Sequence, residues 1–177
     1  GKTIEGIGKV FDHADHSYYL GFKMLLCTFW DGVTAVPLDF SLHAEKGKNA
    51  QKPFGLTASE FKNRFHKERD PDSFGKRRID ELKKSKIKST ISMFKSALKH
   101  RIIPEYVLTD SWFCCEELII AVRSALKGMI HFVGQMKMDN RYYEYNGIFY
   151  TSPQLIQRLK KHKKKSKSYK AHYIEII

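Results

Sequence analysis

The sequence has few cysteines and no long hydrophobic run, and each absence excludes a class of protein. Its three cysteines are an odd number, and two of them, Cys114 and Cys115, are adjacent and therefore poorly placed to pair. This argues against a secreted disulfide framework and favours a reducing compartment. The longest uncharged apolar stretch near the start, residues 24–30, is far shorter than the ~20 residues of a membrane helix. We therefore expect a cytoplasmic protein that does not span a membrane.

Several short motifs of enzymes are also missing. The sequence has no Gly-rich phosphate loop and no nucleophile elbow. The Cys114-Cys115 pair precedes Glu116 and Glu117, whose charges disfavour a thiolate, so we interpret these cysteines as structural. Residues 12–16, Asp-His-Ala-Asp-His, group four potential ligands of zinc or manganese, but no further Cys or His follows at regular spacing. We interpret them as a polar loop.

Positive charge is what the sequence has in excess. The 177 residues carry 32 Lys or Arg against 19 Asp or Glu, a formal charge of +13. Residues 46–101 hold 17 basic and six acidic residues, and residues 158–177 hold eight basic and one acidic. Two such blocks favour binding of a polyanion, nucleic acid first, over a merely solvated surface. As DNA-binding residues we predict Lys83, Lys84, Lys86, Lys163, Lys164, Lys165 and Lys167.

Two hairpins are predicted in the parts of the chain that are near neutral. Residues 20–30 and 33–42 are apolar runs on either side of Asp31-Gly32, a strong hairpin signal. Residues 142–145 and 148–150 lie on either side of Asn146-Gly147, which is typical of a type I′ turn. A short helix capped by Ser152-Pro153 and a strand over 171–177 should follow.

A strand, a helix and a second strand are predicted between these hairpins. Residues 106–110 are a short apolar run, a helical pattern follows with Gly128 as its C-cap, and residues 130–136 resemble a strand again. This order is typical of a βαβ unit with a parallel pair of strands. We predict one mixed sheet from residues near 20–30, 33–42, 105–110 and 130–137, with helices near 88–101 and 114–127 packed on it.

The first basic block should be helical. Thr57 and Glu60 stand at capping-box spacing, with Leu56 and Phe61 as a hydrophobic staple, so a helix should begin at about Ala58. Apolar residues then recur every three to five positions from 79 to 98, which predicts a helix running up to residue 101 under a surface of lysines. Aromatic residues near these lysines suit nucleic-acid binding, namely Phe61, Phe65, Phe74 and Phe94.

Asp110 is the strongest candidate for a functional carboxylate. It follows an apolar strand, so its side chain is expected at the carboxyl edge of a parallel sheet, where α/β proteins place ligands. An aspartate in front of a helix is equally typical of a helix cap. The spacing alone leaves both interpretations open.

Residues 107–113, Val-Leu-Thr-Asp-Ser-Trp-Phe, resemble the strand that bears the second catalytic aspartate of bacterial insertion-sequence transposases of the DDE superfamily. The similarity covers nearly the whole chain. The other segments that resemble this family, in the same order, are Gly1–His13, Leu20–Lys23, Asp31-Gly32, Pro37–Ser41, His43 and Glu45–Lys48.

The resemblance implies a ribonuclease H-like fold of mixed α/β class. In that fold an Asp, a second Asp and a Glu hold two Mg²⁺ or Mn²⁺ ions, and the enzyme cuts transposon ends and joins them to target DNA. Residues 1–140 would be a partial core that includes the basic helical segment 46–101, and residues 141–177 would begin a β-rich insertion. Such a protein acts in the bacterial cytoplasm.

Only Asp110 of the three catalytic carboxylates can be carried over to this sequence. By the resemblance the first Asp lies before residue 1 and the Glu after residue 177, so we expect a fragment that is catalytically inactive and binds Mg²⁺ weakly. A missing central strand would leave exposed strand edges. These edges would pair with residues 3–10 or with a second chain, giving a homodimer.

Two other functions stay open from the sequence. One is a non-catalytic basic module that binds nucleic acid. The other is a different ribonuclease H-like nuclease, such as a resolvase or an RNA-cleaving enzyme.

Overall fold

The computed structural model describes residues 4–47, 49–52, 54–63 and 68–159, and the backbone of residues 164–165 and 172–173. The chain is of mixed α/β class, as predicted. It divides into two units, Gly1–Val107 with Glu116–Phe132 and Leu108–Cys115 with Val133–Ile177. The elements are β1 (Gly8–Asp12), β2 (Ser17–Gly21), β3 (Lys23–Trp30), β4 (Ala35–His43), α1 (Ala58–Asn63), α2 (Phe74–Glu81), α3 (Lys86–Lys99), β5 (Tyr106–Thr109), α4 (Glu116–Arg123), a 3₁₀ turn (Ala125–Gly128), β6 (His131–Gly134), β7 (Tyr142–Tyr145), β8 (Ile148–Thr151), α5 (Ser152–Leu159), β9 (Lys164–Lys165) and β10 (His172–Tyr173).

The hairpin predicted at Asp31-Gly32 is confirmed, with a longer turn. Strands β3 and β4 pair antiparallel from Lys23 opposite His43 to Trp30 opposite Ala35. Asp31 Oδ1 accepts hydrogen bonds from the N–H groups of Val33 and Thr34 at 2.9 and 2.7 Å. These bonds close a four-residue turn, so β4 begins two residues later than predicted.

The predicted single mixed sheet is wrong for the residues that the structure describes. All four predicted strands form in shortened versions, but β3 pairs with β4 and β5 pairs with β6, in separate two-stranded sheets. Residues 8–12 pair with β2, so they do not complete a larger sheet. Apolar runs locate strands along the chain, whereas the neighbour of each strand depends on distant pairing that periodicity does not encode.

The capping box at the start of α1 is confirmed. Glu60 Oε2 accepts hydrogen bonds from the Thr57 N–H and hydroxyl at 2.7 and 3.0 Å, and the Glu60 N–H donates to Thr57 Oγ1 at 3.2 Å. Leu56 and Phe61, the predicted staple, are buried together with Phe54, whose ring stacks on that of Phe61 at 4.4 Å. The apolar contact fixes where α1 leaves the preceding loop.

The predicted helix up to residue 101 is two helices, α2 and α3, with a break at residues 82–85. At the break, Ser85 is extended (φ −60°, ψ 135°) in the N-cap position of α3, and its side chain makes no capping hydrogen bond. Leu82 continues the apolar stripe across the break and is 3% exposed. The apolar pattern therefore predicted which side chains face the core, but the prediction of one continuous helix was wrong.

Helix α3 is the centre of the first unit. It packs against β3, β4 and α4. The buried residues of α4, Leu118 and Val122, are fully inaccessible to solvent. Helix α4 ends at Arg123 rather than near 127, and Leu126 and Lys127 take left-handed conformations with φ of 45° and 57°. The Arg123 guanidinium donates to the carbonyls of Gly128 and Ile130 at 2.9 and 3.0 Å.

The second unit contains the other predicted hairpin. Strands β7 and β8 pair antiparallel, and Asn146 and Gly147 have φ of 52° and 75°, as a type I′ turn requires. The short helix predicted after this hairpin is confirmed as α5. Of the strand predicted over 171–177, residues 172–173 form β10, which pairs with β9, and the others lie outside the described residues.

Candidate nucleic-acid interface

Three of the predicted DNA-binding lysines lie together at the break between α2 and α3. Lys83 and Lys84 are exposed in the connecting loop, and Lys86 is the half-buried first residue of α3. With the exposed Lys88, two residues after Lys86, they form what we name the basic surface. Residues 76–99 carry nine Lys or Arg against two carboxylates. A concentration of positive charge on one short segment suits the regular charges of a phosphate backbone.

Two arginines near the basic surface are already neutralised. Arg77 and Arg78 both pair with Asp39 on β4 and with Glu81. Burial alone would raise the pKa of Asp39, but hydrogen bonds from Arg78 and Arg77 outweigh burial and lower that pKa. These four side chains therefore join α2 to β4, and Lys83, Lys84 and Lys88 are the lysines of the basic surface that are exposed to solvent.

A buried pair of polar side chains lies on the same strand. Ser41 and His43 are 0% and 3% exposed, with Ser41 Oγ 2.7 Å from His43 Nε2. His43 Nδ1 lies 3.1 Å from the carbonyl oxygen of Lys84. Because a carbonyl can only accept, Nδ1 carries the proton, and the neutral ring accepts from the Ser41 hydroxyl. The pair is buried, so it fixes the loop that carries Lys84 rather than acting on a substrate.

The stability of the chain should fall as pH is lowered through the range where histidine titrates. Burial, helped by the nearby charges of Lys86 and Lys84, lowers the pKa of His43 below its ordinary value of 6.5. Below that value the unfolded chain binds a proton that the folded chain resists, so the free energy of unfolding decreases. Urea unfolding at about pH 7.5 and about pH 5.5 measures this loss. The variant His43→Gln should show a smaller difference; an unchanged difference would contradict the assignment.

The prediction that phenylalanines near the lysines contribute to nucleic-acid binding is wrong for two of the four residues. Phe61 and Phe94 are 8% and 6% exposed and belong to the core, so they cannot stack on bases. Phe74 is 79% exposed at the start of α2, whereas Phe65 lies outside the described residues. The ring of Phe61 instead lies 5.2 Å below the Lys83 ammonium, a cation–π contact that supports the basic surface.

The structure does not describe the side chains of the DNA-binding lysines that we predicted in the tail. Lys163 and Lys167 lie outside the described residues, and Lys164 and Lys165 are described only as the backbone of β9. Their role in DNA binding stays a prediction.

Asp110 is exposed directly after β5, at the end of the strand where its sequence position predicts it. Its Oδ1 accepts hydrogen bonds from the N–H groups of Trp112 and Phe113 at 2.8 and 3.2 Å. Helix α4 begins only at Glu116, so Asp110 closes a turn and does not cap that helix. The two hydrogen bonds orient the carboxylate, and both are made by the same oxygen.

The described residues do not by themselves fit a metal centre. Among them no group of three or more His, Cys, Asp or Glu lies close enough together to hold an ion. In the loop at 12–16, Asp12 Oδ1 accepts from the Ala14 N–H at 2.8 Å and Asp15 accepts from the Tyr19 hydroxyl at 3.1 Å. These contacts agree with the predicted polar loop. Asp110 alone offers too few oxygen ligands for the pair of Mg²⁺ or Mn²⁺ ions that the resemblance implies.

The adjacent cysteines are half-buried immediately before α4. Burial, and next the neighbouring Cys115, raise the pKa of the Cys114 thiol above its ordinary value. A raised pKa disfavours the thiolate, which agrees with the structural interpretation.

Comparisons with known protein families, with curated proteins and with solved structures find no match to this chain. No helix in the described part of the chain is long and apolar enough to span a bilayer.

Proposed function

We propose that this chain is part of a DDE transposase with a ribonuclease H-like fold. In this proposal the basic surface binds DNA and Asp110 supplies one carboxylate of the catalytic site. The remaining Asp and Glu would come from outside the described residues. The parent protein would be an enzyme, and these 177 residues alone would be inactive.

The observation that supports the proposal most is the position of Asp110. The carboxylate is exposed at the end of a strand, within the segment 107–113 that resembles the transposase motif. Since the N–H groups of Trp112 and Phe113 both bond Oδ1, the carboxylate is oriented before any ligand arrives.

DNA binding is supported by the charge of the chain and by its concentration at the basic surface. Each phosphate that a lysine neutralises releases condensed counterion, so affinity for a duplex should fall steeply with salt. Fluorescence anisotropy with a labelled duplex, at low and at moderate salt, measures this dependence. Equal affinities at the two salt concentrations, or no binding, would contradict the proposal.

The chain alone should not cut DNA. With one of three carboxylates present, incubation of a supercoiled plasmid with the chain in Mg²⁺ or Mn²⁺ should leave it uncut. Cleavage that disappears in the Asp110→Ala variant would show that the chain already contains a complete site, and our placement of the missing carboxylates would be wrong.

A non-catalytic basic module that binds nucleic acid is the second candidate. The hydrogen bonds of Asp110 to the Trp112 and Phe113 N–H groups favour it, since they give the carboxylate a structural role in a turn. In that case Asp110→Ala, which removes the acceptor of both bonds, would lower stability and leave every activity of a longer protein intact.

A further inference from the structure

A cavity of about 340 Å³ opens between α2 and the first two turns of α3. Its wall combines charged side chains from α2 and the loop with two serines of α3, and includes Arg77, Asp80, Glu81, Lys84, Ser89 and Ser92. All of them belong to the first unit. The volume admits a tetrahedral anion, and the wall is rich in hydrogen-bond donors.

Ser89 is the residue of the cavity wall that most strongly suggests a bound ligand. The residue is 3% exposed, and its hydroxyl has no hydrogen-bond partner in the described part of the chain. Leaving a buried hydroxyl unpaired costs free energy, and folded proteins rarely do so without a functional reason. A ligand oxygen in the cavity would give the Ser89 hydroxyl a partner.

The charges around the cavity determine the sign of that ligand. The first turn of α3 contains Lys86 and Lys88 and no acidic residue, and Ser85 makes no side-chain cap. None of these residues lines the cavity, so the cation that decides the sign is Lys84, which is part of the wall and forms no ion pair within the described residues.

The two carboxylates of the wall are already compensated. Asp80 pairs with Lys76, and Glu81 pairs with Arg77 and Arg78. The unpaired Ser89 hydroxyl and the positive charge of Lys84 in the same wall therefore favour a small anion.

We propose that this cavity binds one phosphate group of the DNA backbone, with the Ser89 hydroxyl as a hydrogen-bond donor and Lys84 as the neutralising charge. The inference rests on the proposed DNA binding and adds to it a specific contact. It explains why a buried serine stands where an apolar residue would pack better, next to a loop that His43 holds in place.

Three single variants of the chain test the proposal: Ser89→Ala, Lys84→Gln and the control Ser96→Ala. Ser96 lies two turns further along the same helix and outside the cavity wall. Ser89→Ala should weaken binding to a labelled duplex by about tenfold, because a hydrogen bond to a charged group is lost. Its melting temperature should not fall, since the unpaired hydroxyl is removed. Lys84→Gln should reduce the salt exponent by about one, and Ser96→Ala should bind like the wild type.

Titration with inorganic phosphate, followed by the NMR shift of the Ser89 amide, separates the outcomes. The wild type should respond and Ser89→Ala should not. If the wild type binds the duplex with a steep salt dependence but Ser89→Ala and Lys84→Gln bind as tightly as Ser96→Ala, the cavity site is refuted and general DNA binding survives. If phosphate shifts the amide but no variant changes duplex binding, the cavity takes free phosphate and our assignment to DNA is wrong. If the wild type binds no duplex, the proposed function fails together with this inference.

Discussion

Replacing Lys83, Lys84 and Lys86 together with glutamine is expected to weaken duplex binding by about a hundredfold at low salt. These lysines stand within four residues at the break between α2 and α3. The nearby Arg77 and Arg78 pair with Asp39 and Glu81. The loss should be the same for duplexes of different sequence, because backbone phosphates carry no sequence information. The salt exponent should fall by about three.

A matched control separates a local surface from the total charge of the chain. Lys46, Lys52 and Lys127 are exposed and lie outside the basic surface. Their triple replacement with glutamine removes the same charge and should weaken binding much less. Equal losses in the two triple variants would show that the net charge of the chain, and not the basic surface, drives binding.

Leu118→Ala is expected to produce the largest loss of stability, about 2–5 kcal/mol. Leu118 is fully buried on α4, which packs against α3, so the truncation leaves a cavity beside the helix that carries Lys86 and Lys88. Urea unfolding measures the change.

Ile120→Ala is the control for this truncation. Ile120 is on the same helix and 56% exposed, so its loss should be well under half as large. Similar losses at the two positions would mean that α4 is not packed as described.

Features that depend on neighbouring residues were predictable from the sequence. Thr57 and Glu60 form the capping box, and Asn146-Gly147 forms the type I′ turn, because in each case the interacting groups are within three residues of one another. The end of β5 at Thr109, directly before Asp110, was predictable for the same reason.

Features that depend on residues far apart in the chain were not predictable from the sequence. The contact of His43 with the Lys84 carbonyl joins residues 41 positions apart, and that of Arg78 with Asp39 joins residues 39 apart. No periodicity signals such a contact. The cavity beside Ser89 was missed because it exists only where the helical stripe breaks, and the stripe itself continues through Leu82 across the break.

The prediction of which strands pair also failed, for a related physical reason. Apolar alternation marks β3 and β4 as strands, and a turn between them makes their pairing local. Nothing local specifies which further strand lies beside either of them, so the predicted mixed sheet required information that local sequence patterns do not contain.

If Asp110 belongs to the catalytic site of a DNA-cutting enzyme, as we propose, its carboxylate should be required for cleavage. The most direct test is cleavage of a supercoiled plasmid in Mg²⁺ or Mn²⁺ by the chain extended on both sides with its flanking coding sequence. Asp139→Asn is the control, since Asp139 is a partly exposed carboxylate paired with Arg141. We predict that the extended wild type and Asp139→Asn cut the plasmid and that Asp110→Asn does not. Cleavage by Asp110→Asn at the wild-type rate, or none by any of the three proteins, would contradict the account.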